Sequence, residues 1–325
     1  MIANVRGVRG RGVGMLAVLF ALVLAAACER VSELPFASPG ARTTCVPSPE
    51  DLLPWARFHE RPLTAFPYMA TYSACGKKLV YVAARHQADG RSPTHHLVIK
   101  AFEGGDPDPR LVIVEGYVSS TINQPAALTR EADLAEDDGS DSEALLAIRL
   151  ATTLGADFIG GEAPDHYTRA GLTPLGYGPD DQMNFHILRS IERWLREDQE
   201  PDHRMLDLAS HIAAVSANMD PSVRGALDDP LTADGFKAWY KAMNGISFDE
   251  GYQRTDAYFT HPRFDRPSAD LARAVADIRD RHILETIADG LARYDTVIVV
   301  YGGGHHVVQA RALEKALGVP VITRL

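Results

Sequence analysis

The stretch Thr296-Val297-Ile298-Val299-Val300-Tyr301-Gly302-Gly303-Gly304-His305-His306 sets the architecture. Five residues dominated by β-branched side chains read as a buried strand, and three glycines end it. Two histidines follow, and Val307 to Leu317 then has the apolar spacing of a helix. That order puts an imidazole pair at the carboxyl end of a strand, where open α/β sheets assemble their binding sites. Other segments repeat the design. Leu79–Ala84 runs into Arg85-His86, Leu111–Val114 into Glu115-Gly116, and Asp157–Gly161 into Glu162. Four expected strands therefore each deliver a histidine or a glutamate.

Working outward, helical spacing is read over His95–Phe102, Glu143–Leu154 with Ser142 as N-cap, Asp180–Arg196, Met205–Ala217, Gly235–Met243 and Ser268–Arg293. Val319-Pro320-Val321-Ile322 reads as a last strand, and Asn244 to Pro267 is irregular. Strands alternating with helices predict an α/β fold: a central sheet, largely parallel or mixed, with flanking helices and a helical insertion over about 180–265.

The first 28 residues read as a leader. Arg6, Arg9 and Arg11 precede an apolar run from Val13 to Ala27, and Ala25-Ala26-Ala27 abuts Cys28. The run is short for a bilayer span, which needs about 20 residues. Small residues before a cysteine resemble a bacterial lipobox, so Cys28 is the expected lipidation site. A lipid there would tether the chain to a membrane on the periplasmic side of the bacterial cell envelope. Residues 29–67, rich in Pro, Ser and Arg, read as a tether and surface arm, leaving 68–325 as the α/β domain. Cys45 and Cys75 then remain as a pair in an oxidising compartment, free to form a disulfide or to stay as two thiols. The formal charge of −10 disfavours nucleic acid as a partner. The acid-rich stretch Arg130–Asp141 lacks the oxygen-ligand spacing of a calcium loop and reads as a solvated surface loop.

A carboxylate placed directly after four buried apolar residues is costly unless it has a partner, which singles out Glu115 and, at the equivalent place, Glu162. Each could also be an acid favoured at a helix N-terminus. His86 and His305 with these carboxylates suit a divalent ion such as Zn, Mn or Co. An ion of that kind acidifies a bound water, and a neighbouring carboxylate can take its proton. His86, Glu115 and His305 are the expected metal ligands, with Glu162 as a further ligand or general base. Arg281 and Arg85 are candidates to hold an oxyanion or a substrate carboxylate. Adjacent histidines on a turn point in different directions, so His306 is expected beside the site, as is Arg85. His95, in the next turn, ranks behind His86. There is no Gly-x-Ser-x-Gly elbow, no Gly-Lys-Ser/Thr phosphate loop and no His-Glu-x-x-His.

With those residues in place, the chain resembles the TraB/PrgY/GumN group, which is related to the Tiki metalloproteases, the erythromycin-esterase-like proteins and the ChaN-like proteins. Gly302-Gly303-Gly304-His305 after a strand matches the group's C-terminal Gly-x-x-His. Glu115 matches its glutamate after the second strand, and Arg281-His282 stands where its helix carries Arg-Asn. At the first Gly-x-x-His this chain has Ala83-Ala84-Arg85-His86. The resemblance implies an exported, lipid-anchored, metal-dependent hydrolase acting on a peptide or small molecule. The alternative it leaves is a non-catalytic periplasmic lipoprotein that binds haem, a metal or a partner.

Overall fold

A computed structural model describes residues 45–61, 64–86, 92–103, 110–118, 142–197, 208–217, 231–251 and 266–325. The leader, Cys28, the tether up to residue 44 and the acidic loop lie outside the described residues. Among the described residues no helix is long and apolar enough to cross a membrane.

Two 3-10 turns, Pro49–Asp51 and Trp55–Glu60, precede the first strands, β1 (Tyr68–Ala74) and β2 (Lys77–Ala84). The chain continues through α1 (Pro93–Phe102), β3 (Arg110–Val118), α2 (Glu143–Leu154), β4 (Asp157–Glu162) and α3 (Asp165–Leu172). Helices α4 (Pro179–Glu197), α5 (Leu208–Ala217), α6 (Ala233–Asn244) and α7 (Phe248–Gly251) follow. Then come α8 (Pro267–Arg293), β5 (Thr296–Gly302), α9 (Gly303–Leu317) and β6 (Val321–Thr323).

The strands form one mixed sheet in the order β4-β3-β5-β2-β1-β6. The first four are parallel, while β1 runs antiparallel to both β2 and β6. The expected α/β fold is what the chain adopts. Alternate residues of each central strand face opposite layers. Leu79, Tyr81, Ile113, Val297 and Val299 pack on Ile283, Ile287 and Leu291 of α8 and Leu313 of α9. Val80, Val82, Val112, Val114, Ile298 and Val300 pack on Leu97 and Val98 of α1 and Ala147 and Ile148 of α2. Each fully buried Val or Leu side chain contributes roughly 1.5–3 kcal/mol relative to exposure. These two layers therefore fix the register. Val82, Val300, Val114 and Gly160 form one row across the four parallel strands. All four carboxyl ends consequently reach the same edge of the sheet.

The expected helical insertion has its own core, in which Phe185, Ile187, Leu188 and Ile191 of α4 meet Ile212, Phe236 and Tyr240. Leu172, Leu271, Ala272 and Val275 join it, so α3 and the first turns of α8 belong to the same cluster. The segment expected as a surface arm sends a few side chains into the core. Leu53, Trp55 and Phe58 are buried, and Trp55 and Phe58 pack with Ala276 of α8 and Val307 and Val308 of α9. A Cys45–Cys75 disulfide joins this arm to the β1–β2 turn, with Cα atoms 6.2 Å apart. Strand β1 itself was not legible: Tyr68-Met69-Ala70-Thr71-Tyr72-Ser73-Ala74 mixes small and polar residues, yet its Tyr68, Ala70 and Tyr72 alternate into the core.

Candidate functional site

Helix α9 begins at Gly303, with Gly302 as its N-cap, so His305 and His306 lie in its first turn rather than in a turn before it. The glycines permit this tight passage. A Cβ on Gly302 would stand 2.8 Å from Nε2 of His86 and 3.2 Å from Oε2 of Glu115, and one on Gly303 would overlap the Phe66 ring. On β3 the pairing with β4 slips after Val114, and Gly116 takes φ +90°. That bulge re-aims the strand end where Glu115 stands.

His86, Glu115, Glu162 and His305, the four strand-end residues expected from sequence, come together at this edge. Glu115 is central. Its Oε2 accepts the Gly302 N–H at 2.6 Å and lies 3.4 Å from Nε2 of His86, and its Oε1 lies 3.8 Å from Nε2 of His305. Each imidazole is held from behind by a carboxylate. Nδ1 of His86 donates to Oε1 of Glu143, at the start of α2. Nδ1 of His305 donates to Asp280 of α8, 3.0 Å from Oδ2. Asp280 is fully buried and also accepts from Nε1 of Trp55 at 2.7 Å and Nε2 of Gln309 at 2.6 Å. Its charge is thus matched by three donors. The Glu143 hydrogen bond holds the His86 pKa up at about 9 against partial desolvation. Burial acts to lower the His305 pKa, but the Asp280 charge and hydrogen bond outweigh it and the pKa is raised.

Glu162, expected as a further ligand or general base, is engaged by several donors. Arg279 clamps it through two bonds, Nε to Oε2 at 3.0 Å and Nη2 to Oε1 at 2.7 Å. The Tyr301 hydroxyl donates to Oε1 at 3.0 Å and the Gly116 N–H at 3.4 Å. Burial alone would raise its pKa, but the Arg279 charge and these bonds hold it at about 2. A carboxylate so engaged is a poor proton acceptor at neutral pH. It anchors Arg279, whose Nη2 also comes within 3.9 Å of Oε1 of Glu115.

The other expected residues stand elsewhere. Arg281 is two residues from Arg279 and on another side of the helix. It is exposed, with Nη1 3.2 Å from Oε1 of Glu50, beside a cavity of about 300 Å³ lined by Glu50, Leu52, Asp277, Arg281 and Val308. The Arg85 side chain is exposed, while its backbone is tied to the Thr94 hydroxyl. His306 turns into the core behind β1, bonded to Tyr68 and Tyr72. His95 is buried against Ser92 in the first turn of α1. Sequence reasoning missed Glu143, Arg279, Asp280 and Trp55. One signal was present: along α8 the buried positions 272, 275, 276, 283, 284 and 287 are apolar, and Asp280 falls in that register as a charge.

Among the described residues, no group of three or more His, Cys, Asp or Glu side chains is arranged to hold a metal ion. The donor chemistry nevertheless fits one. Two imidazoles present Nε2 to one carboxylate, and each has its other nitrogen fixed by a second carboxylate, as metal-ligating histidines ordinarily do. Compared with protein families, curated proteins and solved structures, the chain matches none. Fold and site define an α/β protein with a histidine–carboxylate cluster at the carboxyl ends of its parallel strands.

Proposed function

We propose that the protein is a metal-dependent hydrolase, exported and lipid-anchored through Cys28 on the periplasmic side of the cell envelope. The observation that carries the site's part of this is the back-to-front arrangement of His86 and His305. Both hold a carboxylate on Nδ1 and turn Nε2 toward Glu115. Fixing the tautomer in this way raises the basicity of the free nitrogen and its value as a ligand. His86, Glu115 and His305 would hold a divalent ion such as Zn, Mn or Co. When bound, that ion would supply Lewis acidity at the strand ends.

The chain's own groups have defined parts in this reading. Asp280 and Glu143 orient the two imidazoles. The Gly302 N–H fixes one oxygen of Glu115, and Arg279, spent on Glu162, keeps a positive charge beside the other. The resemblance to the TraB/PrgY/GumN group points the same way. In that comparison Arg279-Asp280 is a better counterpart of the group's Arg-Asn than Arg281-His282, because it is the pair that faces the cluster. Peptides and small esters are the first substrates to screen.

Metal content by mass spectrometry tests the reading, wild type beside His305→Ala, each before and after reconstitution with Mn, Co and Zn. Near-stoichiometric metal in the wild type, lost in the variant, supports it. Metal-free protein in both, after reconstitution, sinks it and leaves an ion-pair network serving a binding role.

A further inference from the structure

The cavity of about 300 Å³ lies where the arm before β1 meets α8 and α9. Pro49, Leu52 and Pro54 of the arm, Ile278 of α8 and Val308 of α9 give it an apolar wall, and Glu50, Asp277 and Arg281 bring charge to it. The walls are tied together. The Leu53 N–H donates to the Val308 oxygen at 3.0 Å, the Trp55 N–H to Oδ1 of Asp277 at 2.9 Å, and Nζ of Lys315 to Oδ1 of Asp51 at 2.9 Å. Asp277 and Arg281 are one helical turn apart, acid before base, the spacing and order at which such residues ordinarily pair. Here they do not. Asp277 turns Oδ1 to the Trp55 N–H, Arg281 extends Nη1 to Oε1 of Glu50 at 3.2 Å, and no ion pair joins the two. Among the described residues Oδ2 of Asp277 has no hydrogen-bond or ion-pair partner, and Arg281 uses one nitrogen of its guanidinium.

We propose that this cavity binds a free α-amino acid with an aliphatic side chain, its ammonium on Asp277, its carboxylate on Arg281 and its side chain against the apolar wall. An α-amino acid carries its two charges on adjacent atoms of one short backbone, which fits between residues whose Cβ atoms are about 5–6 Å apart at this helical spacing. A guanidinium takes a carboxylate through two parallel N–H bonds, and Arg281 has nitrogens left to do so. Burial pushes the Asp277 carboxyl up to about 6 although the Trp55 N–H pulls it down, and an ammonium at the open oxygen would restore its charge. A lone cation would leave Arg281 unused, and a lone anion would stand unpaired beside Asp277. The volume is at the small end for ligand pockets, which suits one amino acid rather than an extended peptide. Asp280 lines the cavity too, but its charge is already matched by Trp55, His305 and Gln309. The site is distinct from the strand-end cluster and does not rest on that cluster holding a metal.

Calorimetric titration of the metal-free full chain tests this, and neither metal nor turnover enters the result. The probes are L-leucine, leucinamide, N-acetyl-leucine and glycine. L-leucine is expected to bind at least about tenfold more tightly than each of the others, about 1.4 kcal/mol. Asp277→Asn keeps an oxygen for the Trp55 N–H and should abolish the preference over N-acetyl-leucine. Arg281→Met, at an exposed position, should abolish the preference over leucinamide. Leucinamide binding as tightly as leucine would leave a cation site, N-acetyl-leucine doing so an anion site, and glycine doing so a site blind to its apolar wall. Each of these would overturn the proposal, as would no binding at all or preferences that survive both substitutions. Both variants should keep the wild-type melting curve. If Asp277→Asn melts early, Arg281→Met still decides, because its side chain is exposed and its loss leaves the fold intact.

Discussion

His305 and His306 are consecutive on α9, yet they stand in two different regions of the molecule. Successive helical residues point about 100° apart. One imidazole therefore joins the strand-end cluster and the other enters the core behind β1. His305 faces carboxylates on both sides, Asp280 at 3.0 Å and Glu115 at 3.8 Å. His306 has Nδ1 2.7 Å from the Tyr68 hydroxyl, Nε2 3.0 Å from the Tyr72 hydroxyl, and the Tyr81 ring 4.6 Å away centroid to centroid. Among the described residues no carboxylate touches it, and burial drives its pKa down to about 3. A neutral imidazole satisfies both tyrosines, donating to one and accepting from the other. The same side chain is thus a charge-bearing group in one region and a neutral bracket in the other. Neighbouring charge decides which, not position in the chain.

The largest expected effect is on the carboxylate side of this comparison. Asp280→Ala strips the acceptor from Nε1 of Trp55, Nε2 of Gln309 and Nδ1 of His305 together, and should cost about 3–5 kcal/mol in urea unfolding. Asp280→Asn keeps the shape and should cost less, while the His305 pKa falls by NMR. If both variants cost under about 1 kcal/mol, the three hydrogen bonds are not holding the region together. On the other side, His306→Ala leaves two buried tyrosine hydroxyls unpaired and a cavity, which should cost about 2–4 kcal/mol without changing metal content. Lost metal in that variant would merge the two regions into one.

The pH profile separates them in sign. The folded pKa of His306 is depressed, so its stabilising contribution is whole above about pH 6.5 and is lost as pH falls toward about 3. The difference in stability between wild type and His306→Gln should shrink over that window, by at most about 1.4 kcal/mol per pH unit. His86 behaves oppositely. Its folded pKa is raised to about 9, so its contribution is whole below pH 6.5 and is lost as pH rises to about 9. His86→Gln should flatten the alkaline side alone, and by less, because 60% of the His86 side chain is exposed. An alkaline limb unchanged in His86→Gln would remove Glu143 as its partner.

The sheet and its site were unevenly legible. The central strands could be read because buried parallel strands are continuous apolar runs, and the ends of those runs named His86, Glu115, Glu162 and His305. Register then did the rest, since packing on two faces leaves these strands a single alignment. Strand β1 was hidden because its inward residues are Tyr68, Ala70 and Tyr72, two of them carrying hydroxyls for a histidine 234 to 238 residues away. The groups that orient the imidazoles were hidden for the same reason. Glu143 begins a helix, where an acid is expected anyway, and Asp280 meets His305 only through the packing of α8 beside α9.

Arg281→Ala is expected to have the smallest effect and argues the comparison from its edge. Arg279 and Arg281 sit about 200° apart around α8. The first is enclosed by Glu162 and Glu115; the second makes an exposed pair with Glu50 at 3.2 Å, with side chains 45% and 80% accessible. Pairs so open to water are worth about 0–1 kcal/mol. Arg281→Ala should therefore shift stability by no more than about 0.5 kcal/mol and leave metal content unchanged. Arg279→Met, which leaves Glu162 charged and unpaired, should cost several times as much. A loss of metal in Arg281→Ala would mean that the site extends past Asp280 to the cavity beside Glu50. The guanidinium that matters would then be the one chosen from sequence.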